Sequence, residues 1–322
     1  MRGQAAGGDQ GSAPKSIHQV VARTQFNWSN ERPPVLTVRS GEELVLAVPD
    51  ASGGQIGASS ALEAVTNLDF ERVNPTCGPI FVEGAMPGDV LAVEITRMEM
   101  SSFGWTAIIP GFGLLADQFP RPWLHVWSLS EGRAGFREGI SVPLQPFCGV
   151  IGLAPAEPGI HSVIPPRRVG GNLDVKQLGE GATLYLPVEV DGALLGIGDT
   201  HAAQGDGEVC GTAIESPAAV TVRVRVLKDR EIAAPEFDVT RPLERTSAAS
   251  AGYHATTGVA PDLMAAIRQS IERMIAYLVD RLRITDEEAY ALCSVAVDLK
   301  ISEVVDAPNW VVSAFVPNDL FH

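Results

Sequence analysis

The sequence predicts an α+β fold that is predominantly β, with an antiparallel β-sandwich or barrel-like body and a smaller C-terminal α/β portion. Three observations predict it. Glycine and proline are frequent, 32 and 23 of 322 residues, so many turns and short strands are expected. Val220, Val222, Val224 and Val226 alternate with Thr221, Arg223 and Arg225, the two-residue period of a half-buried strand. Helical spacing appears late, in Leu263, Ile267, Ile271, Met274, Ile275 and Leu278. The expected organisation is a disordered lead-in over 1–16, a β-rich body carrying the site over 17–230, and an α/β portion over 231–322 packed on that body.

Residues 1–16 are rich in Gly, Ala, Gln and Ser and lack the apolar stretch of a signal peptide. Short strand-like runs follow at 35–38 and 44–48, then 78–84 and 90–95 around the tight turn Pro87-Gly88-Asp89. Residues 103–172 are dense in Gly and Pro, a composition that suits loops carrying a site on a rigid scaffold. The apolar runs 183–190 and 193–198 flank Asp191-Gly192, which predicts a β-hairpin. Pro261 and Asp262 suit the first turn of one helix. Thr285 with Glu288 forms a capping box for a second helix. Residues 311–316 read as a closing strand.

The chain carries 24 basic and 39 acidic residues, a net charge of -15. Such a surface repels phosphate backbones and anionic lipid, which sets aside nucleic acid and membrane as partners. No stretch is long and apolar enough to span a bilayer. Cys77, Cys148, Cys210 and Cys293 are widely spaced with no C-x-x-C pair, which suits a reducing compartment and a cytoplasmic location.

The densest reactive segment is 198–208, which holds Asp199, His201, Gln204, Asp206 and Glu208. In an extended strand Asp199 and His201 project from one face, and a carboxylate beside an imidazole makes a pair of metal ligands. The Gly205-Asp206-Gly207 turn then folds the chain back, so that Glu208 faces the same space. Amide hydrolysis needs such parts, because an amide carbonyl is a poor electrophile and water a poor nucleophile. The alternative is a hydrogen-bonded core histidine beside an ordinary turn. Asp50 sits at a strand end before Ser-Gly-Gly, placed either as a further ligand or as an Asx-turn carboxylate. Asn172 and Asp174 follow two glycines that allow close approach to a ligand; the alternative is a turn into the next strand. His161 reads as a surface-loop histidine. Cys210 is the candidate nucleophile of a thiol mechanism, or a small buried hydrophobe.

Residues 198–215, GDTHAAQGDGEVCGTAIE, resemble the signature segment of the acetamidase/formamidase family. The resemblance extends in order through 50–55, 78–95, 110–115, 146–152, 170–174 and the helical segment near 289, over roughly residues 35–317. Pro49 before Asp50 departs from the family pattern, and the chain lacks the extra length of the formamidase branch. The resemblance implies a β-rich fold, an amidase acting on small aliphatic amides, a divalent metal at the site and a homodimer or higher homo-oligomer. The assignment that joins both readings has Asp50, Asp199 and His201 holding Zn²⁺, with Ca²⁺ as the second choice. Glu208 and His201 are catalytic, and Gln204, Asn172 and Asp174 orient the amide. The rival readings are a thiol-dependent amidase using Cys210 and a non-catalytic, cation-holding β-sandwich module.

Overall fold

The computed structural model describes residues 17–20, 23–240, 252–305 and 307–321. The lead-in expected over 1–16 lies outside the described residues. The fold is mixed α+β and dominated by antiparallel, curled β-sheets, with a small helical region towards the C-terminus.

Two six-stranded sheets form the body. One runs in the order Ile17–Val20, Glu43–Val48, Ala218–Leu227, Val90–Met100, Thr183–Pro187 and Glu236–Asp238. The other runs Gly170–Asn172, Phe147–Gly152, Leu195–His201, Thr76–Glu83 and Thr24–Gln25, with Leu36–Arg39 pairing in parallel to Thr76–Glu83. Leu44, Leu46, Val93, Leu184 and Val220 of the first sheet and Ile80, Val82, Ile151 and Ile197 of the second share one buried core. Full burial of each such side chain contributes roughly 1.5–3 kcal/mol. The alternation read at 220–226 is realised, with all three of Val220, Val222 and Val224 fully buried.

The hairpin expected at Asp191-Gly192 is not formed. Thr183–Pro187 pairs with Val90–Met100 in the first sheet, whereas Leu195–His201 pairs with Phe147–Gly152 and Thr76–Glu83 in the second. The reason is local. Gly192, Ala193 and Leu194 all have positive φ (68°, 59° and 54°), one more left-handed residue than a two-residue turn takes. A Cβ on Gly192 would lie 2.0 Å from the Phe81 ring, so the glycine lets the chain pass over that ring into the other sheet.

A four-stranded antiparallel sheet, Phe103–Ile108, Trp123–Ser130, Arg133–Arg137 and Ile140–Pro143, flanks the body. The C-terminal elements are the helices Leu263–Leu282 and Asp286–Ala296 on a three-stranded sheet ordered Tyr253–Ala260, Trp310–Pro317, Asp298–Glu303. Asp262 is the N-cap of the first helix, its side chain accepting from the Ala265 amide. The capping box of Thr285 and Glu288 opens the second. The second helix reaches the site segment from below. Gly205 N donates to Ser294 O at 2.7 Å, Cys210 N donates to Ser294 Oγ at 3.1 Å, and Tyr290 OH donates to Val209 O. Among the described residues no helix is long and apolar enough to cross a membrane.

Candidate active site

The strand Leu195–His201 is buried along its whole length, which takes Asp199 and His201 into the interior. Asp199 has φ 53°. The register with Phe147–Gly152 pairs Cys148 with Thr200 and Val150 with Gly198, so the ladder passes over Gly149 and Asp199. Asp199 and His201 end on the same side: His201 Nε2 lies 3.1 Å from Asp199 Oδ1. Phe147 packs edge-on against the imidazole, with ring centroids 4.9 Å apart.

Glu215 completes the group. It joins Trp105 and His201 through antiparallel bridges, its Oε1 accepts from Ala213 N at 2.8 Å, and its Oε2 lies 3.1 Å from His201 Nε2. Glu208 and Asp174 approach from separate loops. The ligand atoms of Asp174, Asp199 and His201 lie within 4.8 Å of one another, and so do those of His201, Glu208 and Glu215. Asp174, Asp199, Glu208 and the neighbouring Asn74 all have φ between 45° and 53°. Side chains rarely adopt that backbone region, and such residues gather at functional sites, where surrounding packing holds them.

The state of the imidazole follows from its hydrogen bonds. Gln204 Nε2 donates to the Asp174 carbonyl at 3.0 Å, so the Gln204 oxygen must face the ring. It lies 2.9 Å from His201 Nδ1, which therefore carries the hydrogen. In the neutral ring Nε2 is then bare, and it faces two carboxylate oxygens at 3.1 Å. That arrangement is repulsive unless a proton or a cation sits between them. One proton serves one oxygen; Glu215 Oε2 and Asp174 Oδ1 are buried and have no hydrogen-bond partner. An imidazole nitrogen with carboxylate oxygens, its far nitrogen held by an amide, is a donor set that fits a divalent cation.

Electrostatics agree. Burial, then the Asp199 carboxylate, pushes Asp174 up to about 7. Burial raises Glu215 to about 7 against the pull of His201, with Asp199 adding to the rise. Burial followed by Asp174 carries Glu208 well above the ordinary carboxylate range. Burial alone would lower His201, but Glu215 and Asp199 outweigh it and hold the ring well above its ordinary value. These folded-state shifts are upward, as is that of Asp206; the half-buried His125, lowered by burial, opposes them, but the upward shifts outnumber it, so the folded, cation-free chain holds more protons than the unfolded chain over about pH 5 to 8. Its stability is therefore expected to fall as pH rises from about 5 to 8. The lowered carboxyls of Asp89 and Asp117 titrate below that window. Thermal melts across this range check the sign. A chain that becomes more stable towards pH 8 without added cation contradicts it.

Gly149 forms the floor. A Cβ there would meet Asp174 Oδ1 at 2.7 Å, Asp199 Oδ2 at 3.0 Å and His201 Cε1 at 3.0 Å. Gly149→Ala is expected to spread these groups, to cost about 1–3 kcal/mol of stability through overpacking and to lower turnover by roughly 10- to 100-fold. Urea unfolding and steady-state rates measure the two effects separately.

Asp199, Glu208 and Glu215 open into a cavity of 390 Å³, together with Asn74, Asn172, Ser52 and Thr212. Asn74 Nδ2 donates to Asp199 Oδ2 at 3.3 Å and to Asn172 Oδ1 at 3.4 Å. A 470 Å³ groove elsewhere is lined by Thr24, Arg72, Glu99 and Met100 among others; it gathers no imidazole and no carboxylate pair.

Several expected site residues sit differently. Asp50 is buried, and its Oδ1 accepts from Ser52 N at 2.8 Å, from Ser52 Oγ and from Trp105 Nε1 at 3.1 Å. It belongs to neither ligand group, because those donors occupy it in the Asx-turn manner. Gln204 is 4% exposed and does not reach the cavity; both ends of its amide are engaged behind His201. Asp206 turns away to Lys176 at 3.3 Å, and Lys176 also pairs with Asp298. Cys210 is fully buried and burial raises its thiol, the opposite of what a thiolate nucleophile requires. His161, expected in a surface loop, instead opens the short strand His161–Ser162 paired with Asn27–Trp28; it is half-buried and its Nε2 lies 2.9 Å from the Glu157 carbonyl. Glu215, Asn74 and Gly149 were missed by the sequence reading. Glu215 left one signal: a lone carboxylate inside the otherwise uncharged run 209–222.

Comparison with known proteins identifies the lineage. The sequence model described as the Acetamidase/Formamidase family matches residues 12–163 and 156–322. The chain belongs to the acetamidase/formamidase family. It is 27% identical to the formamidase of Methylophilus methylotrophus, with 91% of this chain and 88% of that protein covered. Its fold is similar to the gamma lactamase from Delftia acidovorans, with TM-score 0.85, 26% identity and coverage of 93% and 89%. It is also similar to the acetamidase from Bacillus halodurans, with TM-score 0.66, 34% identity and coverage of 94% and 97%. Membership supports amide hydrolysis at the level of the family.

Proposed function

We propose that this chain hydrolyses a short-chain aliphatic amide, acetamide- or formamide-like, to a carboxylate and ammonia. The observation that carries the reading is the buried His201 Nε2, 3.1 Å from carboxylate oxygens of both Asp199 and Glu215, beside the unpartnered oxygen of Asp174. Asp199, His201 and Glu215 would hold a divalent cation, with Asp174 at its edge. The imidazole favours Zn²⁺ over the all-oxygen shell of Ca²⁺. A bound cation of this kind polarises a carbonyl oxygen and acidifies water.

The remaining steps fall to the side chains. Gln204 fixes the His201 tautomer and orientation. Asn74 and Asn172 stand at the cavity wall, where their amides can hydrogen-bond the substrate amide. Glu208 takes the proton from water as the water oxygen bonds to the carbonyl carbon. It then gives that proton to the amide nitrogen, the C–N bond breaks, and ammonia leaves; the carboxylic acid formed loses its remaining proton to ammonia or solvent and becomes the carboxylate. The raised proton affinity of Glu208 suits the second step, in which it is the acid; the first step needs it ionised, which a neighbouring cation would favour. The likeness to the Delftia lactamase makes a cyclic amide the second substrate class to test. Assembly as a homo-oligomer is part of the same reading, and sedimentation measures it.

The test is ammonia release from formamide and acetamide by the zinc-reconstituted protein. Turnover is expected, with loss on chelation and recovery on adding Zn²⁺. No turnover of any amide would sink the reading and leave a cation-holding module. Inactivation by iodoacetamide with indifference to chelators would return the chemistry to a thiol.

A further inference from the structure

The cavity is two-sided. Its inner end is the polar cluster described above, and its outer end is apolar, walled by Leu68, Phe70, Val73, Ile109, Phe112 and Ile164. Leu68 and Ile109 are each 9% exposed, whereas Phe70, Phe112 and Ile164 at the mouth are 59%, 49% and 42% exposed. The mouth is built for this. A Cβ on Gly211 would lie 2.4 Å from the Phe112 ring, so the glycine, at φ 92°, leaves the ring its place at the rim. Phe70 stands opposite in sequence origin, in the one-turn helix Phe70–Arg72 that Asp69 caps by accepting from Glu71 N.

Size decides what such a site accepts. A water takes a share of about 30 Å³, and acetamide, with four heavy atoms, fills roughly two to three such shares. It would occupy about a fifth of the 390 Å³. With the amide at the carboxylates, acetamide leaves every outer apolar residue facing water.

We propose that the preferred substrate is a primary amide whose acyl group is an apolar body of about five to eight carbons, bound between Phe70, Phe112 and Ile164. This rests on the reading of the site as an amidase and names its substrate class. The acyl carbon body points outwards because the nitrogen must lie near Glu208 to receive its proton. Each methylene moved from water to the apolar wall contributes about 0.8 kcal/mol, about fourfold in kcat/KM. Phe112 is then a specificity-determining residue, acting on the length of the acyl chain.

The experiment measures kcat/KM of the zinc-reconstituted protein for acetamide, butanamide, hexanamide and cyclohexanecarboxamide, and repeats the series with Phe112→Ser. The expected result is a rise on the order of 10²-fold from acetamide to hexanamide. In Phe112→Ser the hexanamide-to-acetamide ratio is expected to drop about tenfold. Acetamide as the best substrate, with a flat or falling series, overturns the inference and leaves amide hydrolysis standing. Failure of every amide overturns both. A Phe112→Ser protein with an unchanged ratio and a smaller sedimenting mass assigns the rim to contact between copies of the chain, which also overturns the inference.

Discussion

Glu208→Gln is expected to lower kcat for amide hydrolysis by about 10²–10⁴-fold, the contribution usual for a positioned acid–base group. Gln keeps the shape and the hydrogen-bonding reach of the side chain but cannot carry the proton from water to the leaving nitrogen. Glu208 is the site carboxylate best placed for that transfer. It lines the cavity, and it stands on a loop beyond the Asp199–His201 strand. Metal content measured beside the rate separates the two roles open to it. Full cation content with a collapsed kcat is the expected pair. Loss of the cation together with the rate would make Glu208 a ligand, and a kcat within tenfold of the parent would place the base elsewhere.

His201→Ala is expected to remove both the cation and the activity, with turnover down by at least about 10³-fold. His201 is the one residue common to both candidate ligand groups, and it supplies their only nitrogen. Its removal also leaves Asp199 and Glu215 facing each other in a buried space. Equilibrium dialysis against Zn²⁺ and ammonia release provide the two measurements. A variant that retains stoichiometric Zn²⁺ would show that the oxygens suffice.

Much of this was legible in the sequence, and the failures share one cause. Alternation at 220–226, helical spacing from Leu263 and the capping box at Thr285 are local patterns, and the chain realises each of them. The pairing of Asp199 with His201 is also local, two residues apart on one strand. What escaped depends on distant parts of the chain. Asp191-Gly192 looks like a hairpin turn until three consecutive left-handed residues and the Phe81 ring redirect it. Asp50 looks like a ligand until Trp105, 55 residues on, takes its oxygen. Gln204 carries an amide that reads as substrate-facing, yet the Asp174 carbonyl, 30 residues earlier, turns it towards the imidazole. Gly149 carries no chemistry of its own. Its part is to be small where two other segments meet.

Several successive strands of the body go to opposite sheets, as 183–187 and 195–201 do, and the consequence is kinetic. Contacts between distant residues close large loops before any burial offsets the lost entropy, so folding of such a topology is slow. Asn74, Gly149, Asp174, Asp199, Glu208 and Glu215 come together only when strands far apart in sequence, Thr76–Glu83, Phe147–Gly152 and Leu195–His201, have paired. A partly assembled chain therefore has no centre to offer an ion, and the appearance of tight Zn²⁺ uptake during refolding should coincide with the last, slowest phase.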